Sequence, residues 1–254
     1  MIVIIGFGSM GQALAHGWKS SFSVAVVHKS TTLSEFTDID GINNIKKSEE
    51  NTYILAVKPH DIPGTCQQLK KHLHPNNWVM SVAAGISHQQ LTQELNHSKV
   101  LRSMPNLAVQ DKKGLTAIFS PQVTPQEQRP IENLWNDIGE CFWVNSEHDF
   151  HLFTAVVGSG PAYFIAFASA LETSLQELGL DKASSEKWSK ASLQAASTLS
   201  EAAPLSEIIQ HIQSPQGTTE AALNSWQDTL IKTMLTQMIM AAKTRSLEIG
   251  NSFK

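Results

Sequence analysis

The sequence predicts an α/β domain built on a mostly parallel sheet, followed by an all-helical domain. Short runs of β-branched and aliphatic residues alternate with helix-length segments through the first half of the chain, which is typical of a parallel sheet covered on both faces. Near residue 146 this alternation stops, and apolar residues then recur only at helical spacing. We therefore expect a first domain over residues 1–146 and a second domain over residues 147–254.

The elements follow in order along the chain. The expected strands are Ile2–Ile5, Val24–Val27, Tyr53–Val57, Val79–Ala83 and Val100–Met104, with weaker ones at Gly114–Phe119 and Cys141–Val144. The helix-length segments among them are Met10–Lys19, Ile62–His72, Ser87–Leu95 and Pro125–Ile138. In the second domain we expect a first helix that starts near Pro161 and stops at Gly179, a second over Lys182–Glu201, and a last one that ends near Gly250.

Composition excludes several classes of function. Apolar residues make up 41% of the 254 residues, and the formal net charge is −4, whereas a general nucleic-acid binder needs a basic face. The two cysteines, Cys66 and Cys141, form no CxxC pair and are interpreted as reduced thiols. The longest uninterrupted apolar run, Ala162–Ala168, is short for a membrane span, and Met1 opens no signal-peptide pattern. We expect a cytoplasmic protein without a membrane or nucleic-acid partner.

A glycine-rich loop follows the first strand directly and opens the first helix. This GxGxxG pattern consists of Gly6, Phe7, Gly8, Ser9, Met10 and Gly11. In a Rossmann-type fold the first glycine makes the tight turn, the second lets the backbone approach a pyrophosphate, and the third lets the helix pack on the strand. The N–H groups and partial positive charge of the helix N-terminus then favour the phosphates. The alternative is a plain strand–helix turn.

The end of the second strand bears on the choice of dinucleotide. An NAD site usually carries an acidic residue here, which bonds the ribose 2′-hydroxyl. This chain has His28, Lys29 and Ser30 instead, and its first acidic residue is Glu35. A cation and hydroxyl groups suit a 2′-phosphate, so the sequence favours NADP over NAD. The alternative is that Lys29 is only a solvated surface lysine.

Further motifs lie where later strands end, the edge at which open α/β sheets bind ligands. They are Ala56, Val57, Lys58 and Pro59; Ala83, Ala84 and Gly85; and Pro105 and Asn106 after Met104. With Asn43, these residues complete the cofactor-binding candidates. Two more motifs follow in the helical domain, Gly158–Tyr163 and Ser214–Thr219. In this order, together with Gly6–Gly11, the series resembles the pyrroline-5-carboxylate reductase family over nearly the whole chain.

The resemblance implies an activity and a substrate site. The family reduces the cyclic imine of pyrroline-5-carboxylate to proline with NADPH or NADH, and it forms dimers or rings of dimers through the helical domain. The substrate-binding candidates are Val157, Gly158, Ser159, Gly160, Gly217, Thr218 and Thr219. Backbone N–H groups at Gly217–Thr219 would bind the substrate carboxylate, and the hydroxyl of Thr218 or Thr219 is the catalytic candidate for contact with the ring nitrogen. The alternative for this segment is a simple N-cap.

The chain departs from the family pattern mainly in its substrate half. Leu107 follows Asn106 where the family usually has threonine, Val157 replaces a serine, and Gln216 replaces a glycine. Two alternatives therefore stay open: a nucleotide-binding relative without reductase activity, and an NADP-dependent reductase of another cyclic imine or a small hydroxy acid. The hydroxy-acid version is disfavoured because Ala162–Leu178 contains no lysine. We expect no metal site, and we interpret His72, His74, His148 and His151 as surface histidines.

Overall fold

The computed structural model describes residues 1–28, 35–226 and 228–251. Its strands are β1 (Ile2–Ile5), β2 (Val24–His28), β3 (Thr37–Asp40), β4 (Thr52–Leu55), β5 (Trp78–Ser81), β6 (Val100–Pro105), β7 (Gly114–Phe119) and β8 (Gly139–Trp143). Its helices are α1 (Ser9–Trp18), α2 (Ile62–Leu69), α3 (His88–Leu95), α4 (Pro125–Asn136), α5 (Glu147–Phe153), α6 (Gly160–Glu177), α7 (Lys182–Leu199), α8 (Leu205–Ile212), α9 (Thr218–Asn224) and α10 (Asp228–Asn251). Between α5 and α6 lies a π-helical turn, Thr154–Gly158.

The strands form one sheet in the order β3-β2-β1-β4-β5-β6-β7-β8. All neighbouring pairs are parallel except β6 with β7, which confirms the mostly parallel sheet. The order reverses between β1 and β4, the switch point at which such sheets bind ligands beyond the carboxyl ends of their strands. The glycine loop after β1 and the Ala56–Pro59 segment after β4 therefore lie side by side.

The sheet is buried on both faces, and this explains the apolar strands. In β1, Ile2 and Ile4 face a cluster that includes Trp18 of α1 and Trp135 of α4. Val3 and Ile5 point the other way, into a cluster with residues of α2 and α3. The rings of Trp18 and Trp135 meet edge to face at 5.1 Å. Continuous apolar strands are stable only between two such helical layers.

The edge strand β3 was absent from the sequence prediction. Its four residues, Thr37–Asp40, are mostly polar and exposed, so they lack the apolar pattern of a strand. Backbone pairing with β2 forms it, because Ala25–His28 offers an unpaired edge at this side of the sheet. The strand brings two aspartates to the end of β2, where the sequence had shown no nearby acid.

The chain divides into two compact units. The first contains Met1–Ser159 and the part of α10 from Ile239 onward, and the second contains Gly160–Met238. This differs from the predicted division at residue 146, because α5 packs on the sheet. Phe150 and Phe153 of α5 are buried in a cluster with Met104 and Phe119.

The second unit is helical throughout its described residues, as predicted. Helices α6 and α7 pack against each other and are joined by a turn at Gly179. Within this single chain, many large apolar side chains are exposed, among them Phe164 and Ile165 of α6 and Leu205 of α8. The continuous helical stretch Glu147–Glu177 is long and apolar enough to cross a membrane by length and composition alone, a criterion that helices of soluble proteins also meet.

Candidate cofactor and substrate sites

The glycine loop has the geometry of a dinucleotide-binding turn. Gly6 adopts φ +102°, and a Cβ there would stand 2.7 Å from the carbonyl oxygen of Ala56. A Cβ on Gly11 would overlap the carbonyl oxygen of Gly6. Gly8, by contrast, faces open space, with no protein atom within 4 Å of a built Cβ. Two glycines are thus required by protein packing, whereas Gly8 leaves room for a ligand above the N-terminus of α1, where Ser9 is also exposed.

A cleft of about 730 Å³ opens beside this loop. Of the predicted cofactor residues, Gly6, Phe7, His28 and Val57 line it. Asn43 does not line it, but it lies in a turn with two lining residues, Gly41 and Ile42. The sequence interpretation missed further lining residues in α1, in α2 and in the turn before α2, namely Gln12, His60, Asp61, Gly64, Thr65 and Gln68. The signal that could have found them is the position of α2 directly after Pro59, at the switch point of the sheet.

A contact between a histidine and an aspartate lies at the end of β2, in the predicted 2′-phosphate region. The Nε2 atom of His28 lies 3.0 Å from Oδ1 of Asp38, on the neighbouring strand β3. Glu35, the first acid in the sequence after β2, instead binds Lys19 at 3.1 Å. Lys29 and Ser30 lie outside the described residues. A carboxylate therefore does lie near the end of β2, where it contacts the ring of His28.

The segment after β5 is covered by protein rather than open. Ala83 is buried, Ala84 is half-buried, and Gly85 adopts φ +82°. A Cβ on Gly85 would stand 2.7 Å from the amide nitrogen of Gly250, near the end of α10. The sequence predicted that these small residues leave room for a cofactor. At Gly85, the side on which a Cβ would lie is occupied by α10, so packing against that helix itself requires glycine there.

The residues after β6 and the π-helical turn meet each other. The side chain of Asn106 accepts a hydrogen bond from the backbone N–H of Ala108 at 3.2 Å and so caps the turn that follows. Leu107 beside it is 56% exposed, an apolar side chain at the surface next to the predicted nicotinamide region. A Cβ on Gly158 would lie 3.7 Å from Met104 Cγ, so Gly158 passes close to the end of β6. π-helical turns often mark functional sites.

The remaining segments after the strands and before α6 are only partly buried. Val57 and Pro59 are half-buried and Lys58 is exposed, while Pro105 is buried in β6. Val157 and Ser159 are also half-buried, and the Ser159 hydroxyl donates to the carbonyl oxygen of Thr154 at 3.4 Å. These backbone ends lie along the same edge of the sheet as the glycine loop.

The other predicted substrate residues belong to the second unit. Gly217 is the N-cap of α9, and Thr218 and Thr219 are its first two residues. Thr218 is exposed, and Thr219 is half-buried. Gln216 adopts φ +59°, and its backbone N–H donates to the Glu220 carboxylate at 2.7 Å. Gly160 begins α6 in the same unit.

The sequence interpretation missed a buried polar cluster beside β6, formed by Arg102, Glu147 and His151. The guanidinium of Arg102 is 1% exposed, pairs with Glu147 of α5 and lies 4.0 Å from the ring centre of Phe150. Burial lowers the pKa of Arg102, an effect that Glu147 opposes. The interpretation of His151 as a surface residue was wrong, since it is buried and its Nδ1 lies 2.8 Å from Ser246 Oγ.

The described residues show no group of three or more histidine, cysteine, aspartate or glutamate side chains arranged to hold a metal ion. Both cysteines are free thiols. Burial raises the pKa of Cys66 to about 12 and that of Cys141 to about 11, so both thiols are protonated at neutral pH. Neither thiol has the lowered pKa of a nucleophile.

The strand order, the glycine turn and the open space at Gly8 define a nucleotide-binding α/β fold with a separate helical unit. Residues 1–85 match the model of a family described as NADP oxidoreductase coenzyme F420-dependent. Residues 147–249 match the family of pyrroline-5-carboxylate reductase dimerisation. The chain therefore combines a dinucleotide oxidoreductase domain with a helical domain of a known reductase type.

Full-length relatives identify the family. The chain is 31% identical to pyrroline-5-carboxylate reductase 1 of Bacillus spizizenii, covering 100% of this chain and 90% of that protein. It is 29% identical to the Pseudomonas aeruginosa enzyme, over 98% and 96% of the two chains. Among solved structures, the Coxiella burnetii reductase superposes with a TM-score of 0.85 at 25% identity, covering 98% and 97%. The chain belongs to the pyrroline-5-carboxylate reductase family, which confirms the resemblance.

A solved structure of the Plasmodium falciparum enzyme shares the same fold. It superposes with a TM-score of 0.83 at 20% identity, covering 98% of this chain and 97% of the other, and that protein has NADP bound. This likeness supports the architecture of both units, including the helical part that follows the sheet.

Proposed function

We propose that this protein reduces pyrroline-5-carboxylate to L-proline with a hydride from NAD(P)H, the last step of proline biosynthesis. The observation that carries the proposal is the dinucleotide turn with open space at Gly8, in a chain that matches reductases of this family from end to end. A bound reduced nicotinamide supplies the hydride to the imine carbon. The chain itself supplies binding and alignment, and holding two reactants in place accounts for several kcal/mol of such a barrier.

Within the first unit, the residues fit a dinucleotide along the sheet edge. The N–H groups at the start of α1 are directed toward the position of a pyrophosphate, and Gly8 sterically permits it. Val57 lines the cleft, and the buried Pro105 ends β6 at the same edge. With their neighbours, these positions form the proposed cofactor site.

In the second unit, the start of α9 is the proposed carboxylate site. The N–H groups of Thr218 and Thr219 at the start of α9 are proposed to bind this anion, whereas the N–H of Gly217 already donates to the carbonyl oxygen of Ser214 at 3.0 Å. The Thr218 or Thr219 hydroxyl is proposed to contact the ring nitrogen, where a proton must be held or delivered. Val157, Gly158, Ser159 and Gly160 are the other proposed substrate-binding residues. Glu220 is already bonded to the N–H of Gln216, so that donor is not among those offered to substrate.

For the cofactor we propose a preference for NADPH over NADH. The support is the sequence at the end of β2, where Lys29 brings a positive charge and Ser30 a hydroxyl. Lys29 is therefore the residue on which the preference depends.

We also propose that the chain works as a homodimer or a ring of dimers in the cytoplasm. The exposed apolar faces of α6 and α8 are what a helical interface between two copies requires. The match of residues 147–249 to a dimerisation family supports the same assignment. The proposed partners are another copy of the chain and the small cyclic substrate.

The test is NADPH oxidation by the purified protein with pyrroline-5-carboxylate, with proline measured as the product and the assay repeated with NADH. Proline-forming turnover is the expected result. NADPH binding without turnover of any cyclic imine would instead support the non-catalytic alternative, for which the exposed Leu107 and the substituted Val157 are the motivating residues. Turnover of a hydroxy acid with no activity on the imine would support the other alternative.

A further inference from the structure

We propose that Glu147 is a positioning residue that holds the two strand ends of the nicotinamide region in register, an inference that rests on the proposed function. Its carboxylate lies in the first turn of α5, where the partial positive charge of a helix N-terminus stabilises it. Nothing in the sequence around Glu147 marks it as functional. The tertiary structure gives each of its two oxygens a different partner on a different element.

The first oxygen holds β6. Oε2 of Glu147 accepts from Nη1 of Arg102, and the pair is the only described one in which an arginine side chain is almost fully buried. Phe150, one turn further along α5, covers the flat face of the guanidinium. Arg102 lies three positions before Pro105, so the pair ties β6, which ends at Pro105 just before Asn106, to α5.

The second oxygen holds the segment after β5. Oε1 of Glu147 accepts from the backbone N–H of His88 at 2.8 Å. His88 is the first residue of α3, three positions after Gly85, and its ring is itself fixed by a 3.0 Å contact between Nε2 and the carbonyl oxygen of Val100 in β6. One carboxylate therefore joins the β5–α3 segment to β6, and the histidine ring adds a second tie between the same two elements.

This arrangement has a mechanistic consequence. Hydride transfer depends steeply on the distance between donor and acceptor, and a displacement of about 1 Å lowers the rate by about a hundredfold. The glycine loop at Gly6–Gly11, which binds the other end of the dinucleotide, makes no described contact with Glu147. Loss of Glu147 is therefore expected to disturb placement of the nicotinamide end while leaving most of the dinucleotide affinity.

The test uses Glu147→Gln, with Glu147→Asp as the milder variant and Glu50→Gln as the matched control. Glutamine keeps the shape but not the charge, whereas aspartate keeps the charge near Arg102 and is too short to reach both partners. Glu50 is exposed, and its described contacts are made by backbone atoms. The first readout is amide hydrogen exchange without any ligand. We expect faster exchange in residues 82–88 and 100–106 and unchanged exchange in residues 6–11.

The second readout is the dinucleotide itself. We expect the Kd of NADPH, measured by fluorescence titration, to stay within about threefold, since the pyrophosphate turn is untouched. The emission of the bound nicotinamide should shift toward that of free NADPH. With substrate, kcat should fall about tenfold to a hundredfold, and the kinetic isotope effect with 4-deuterated NADPH should rise because hydride transfer has become slower.

Each outcome decides the proposal. Exchange that rises equally over all segments, or a lower melting temperature with unchanged isotope effect and kcat per bound NADPH, would make Glu147 a general stability residue and overturn it. Unchanged exchange and emission in both variants would overturn it as well. A wild-type protein that does not turn over pyrroline-5-carboxylate would refute the proposed function alone, because hydrogen exchange and NADPH emission test the positioning role without turnover.

Discussion

Gly85 and Gly250 lie in direct backbone contact, at the point where the end of α10 meets the segment after β5. A Cβ on Gly250 would overlap the carbonyl oxygen of Gly85, and a Cβ on Gly85 would stand 2.7 Å from the amide nitrogen of Gly250. The approach therefore requires glycine on both sides. A few residues earlier on α10, Ser246 meets His151 of α5, so the last helix is held at two points of the first unit.

Replacement of Gly85 by alanine is expected to destabilise the protein. The positive φ of Gly85 and the contact with α10 together predict a loss of about 2–4 kcal/mol in the free energy of unfolding. Gly64→Ala is the matched control, because a Cβ in this position of α2 meets no atom within 4 Å. It should be neutral or stabilising by up to about 1 kcal/mol. Urea denaturation measures the stability of both variants. Equal denaturation midpoints for the two would contradict the close contact between Gly85 and α10.

The three glycines of the turn predict two different phenotypes. Gly8→Ala should leave the thermal stability unchanged, since a Cβ there meets no protein atom. It should weaken the binding of NADPH at least about tenfold, because the Cβ would block the approach of the pyrophosphate. Gly11→Ala should lower stability as well, because its Cβ overlaps Gly6. Thermal unfolding and fluorescence titration separate the two effects. Normal NADPH affinity in Gly8→Ala would contradict the assignment of this loop.

Two buried histidines predict how stability depends on pH. Burial lowers the pKa of His88 and of His151; Arg102 lowers both further, whereas Glu147 raises both. The Val100 carbonyl also raises the pKa of His88, while His148 and Lys243 lower that of His151. The unfolded chain therefore binds protons more readily than the folded one.

The direction of the pH dependence follows from this difference in proton binding between the folded and unfolded chains. Stabilisation by the neutral histidines is complete above about pH 6.5 and is lost as the pH falls toward the folded-state pKa values. Each histidine contributes a slope of at most about 1.4 kcal/mol per pH unit. Urea unfolding between pH 7 and 5 measures this decline. His88→Gln and His151→Gln should each flatten the curve, and a curve of unchanged slope in both variants would contradict the burial argument.

Lys29→Ala tests the cofactor preference. Loss of one charged contact with a 2′-phosphate should lower kcat/KM for NADPH about tenfold and leave the value for NADH unchanged. Lys19→Ala is the control, since Lys19 is paired with Glu35 on the surface. An equal decrease in kcat/KM for both dinucleotides, or no decrease, would show that Lys29 does not contact the 2′-phosphate.

Thr218→Ala and Thr219→Ala test the proposed substrate loop. The variant that removes the hydroxyl at the ring nitrogen should lower kcat at least about a hundredfold, because proton delivery is lost, while the other mainly changes KM. Thr198→Ala is a suitable control, since its hydroxyl only bonds the carbonyl oxygen of Gln194 within α7. Steady-state kinetics measures all three. If neither loop variant alters kcat or KM, the loop does not bind the substrate.

The elements that local pattern specifies were predictable. The buried strands β1, β4 and β5 are mostly apolar because helices cover both faces of the sheet, and that pattern is visible in the sequence. The glycine turn was predictable because its three glycines stand at fixed spacing directly after the first strand. β3 was not, because a polar edge strand is formed by pairing with its neighbour rather than by its own side chains.

The sequence by itself determined the fold class, the family and the glycine turn after the first strand. Only the tertiary structure decided which distant residues meet: Arg102 with Glu147, His28 with Asp38, and Gly85 with Gly250. The physical reason is that helix and strand patterns depend on neighbours a few positions away, whereas buried ion pairs and backbone contacts depend on how whole elements pack. No periodicity in a chain records which carboxylate will face a buried guanidinium.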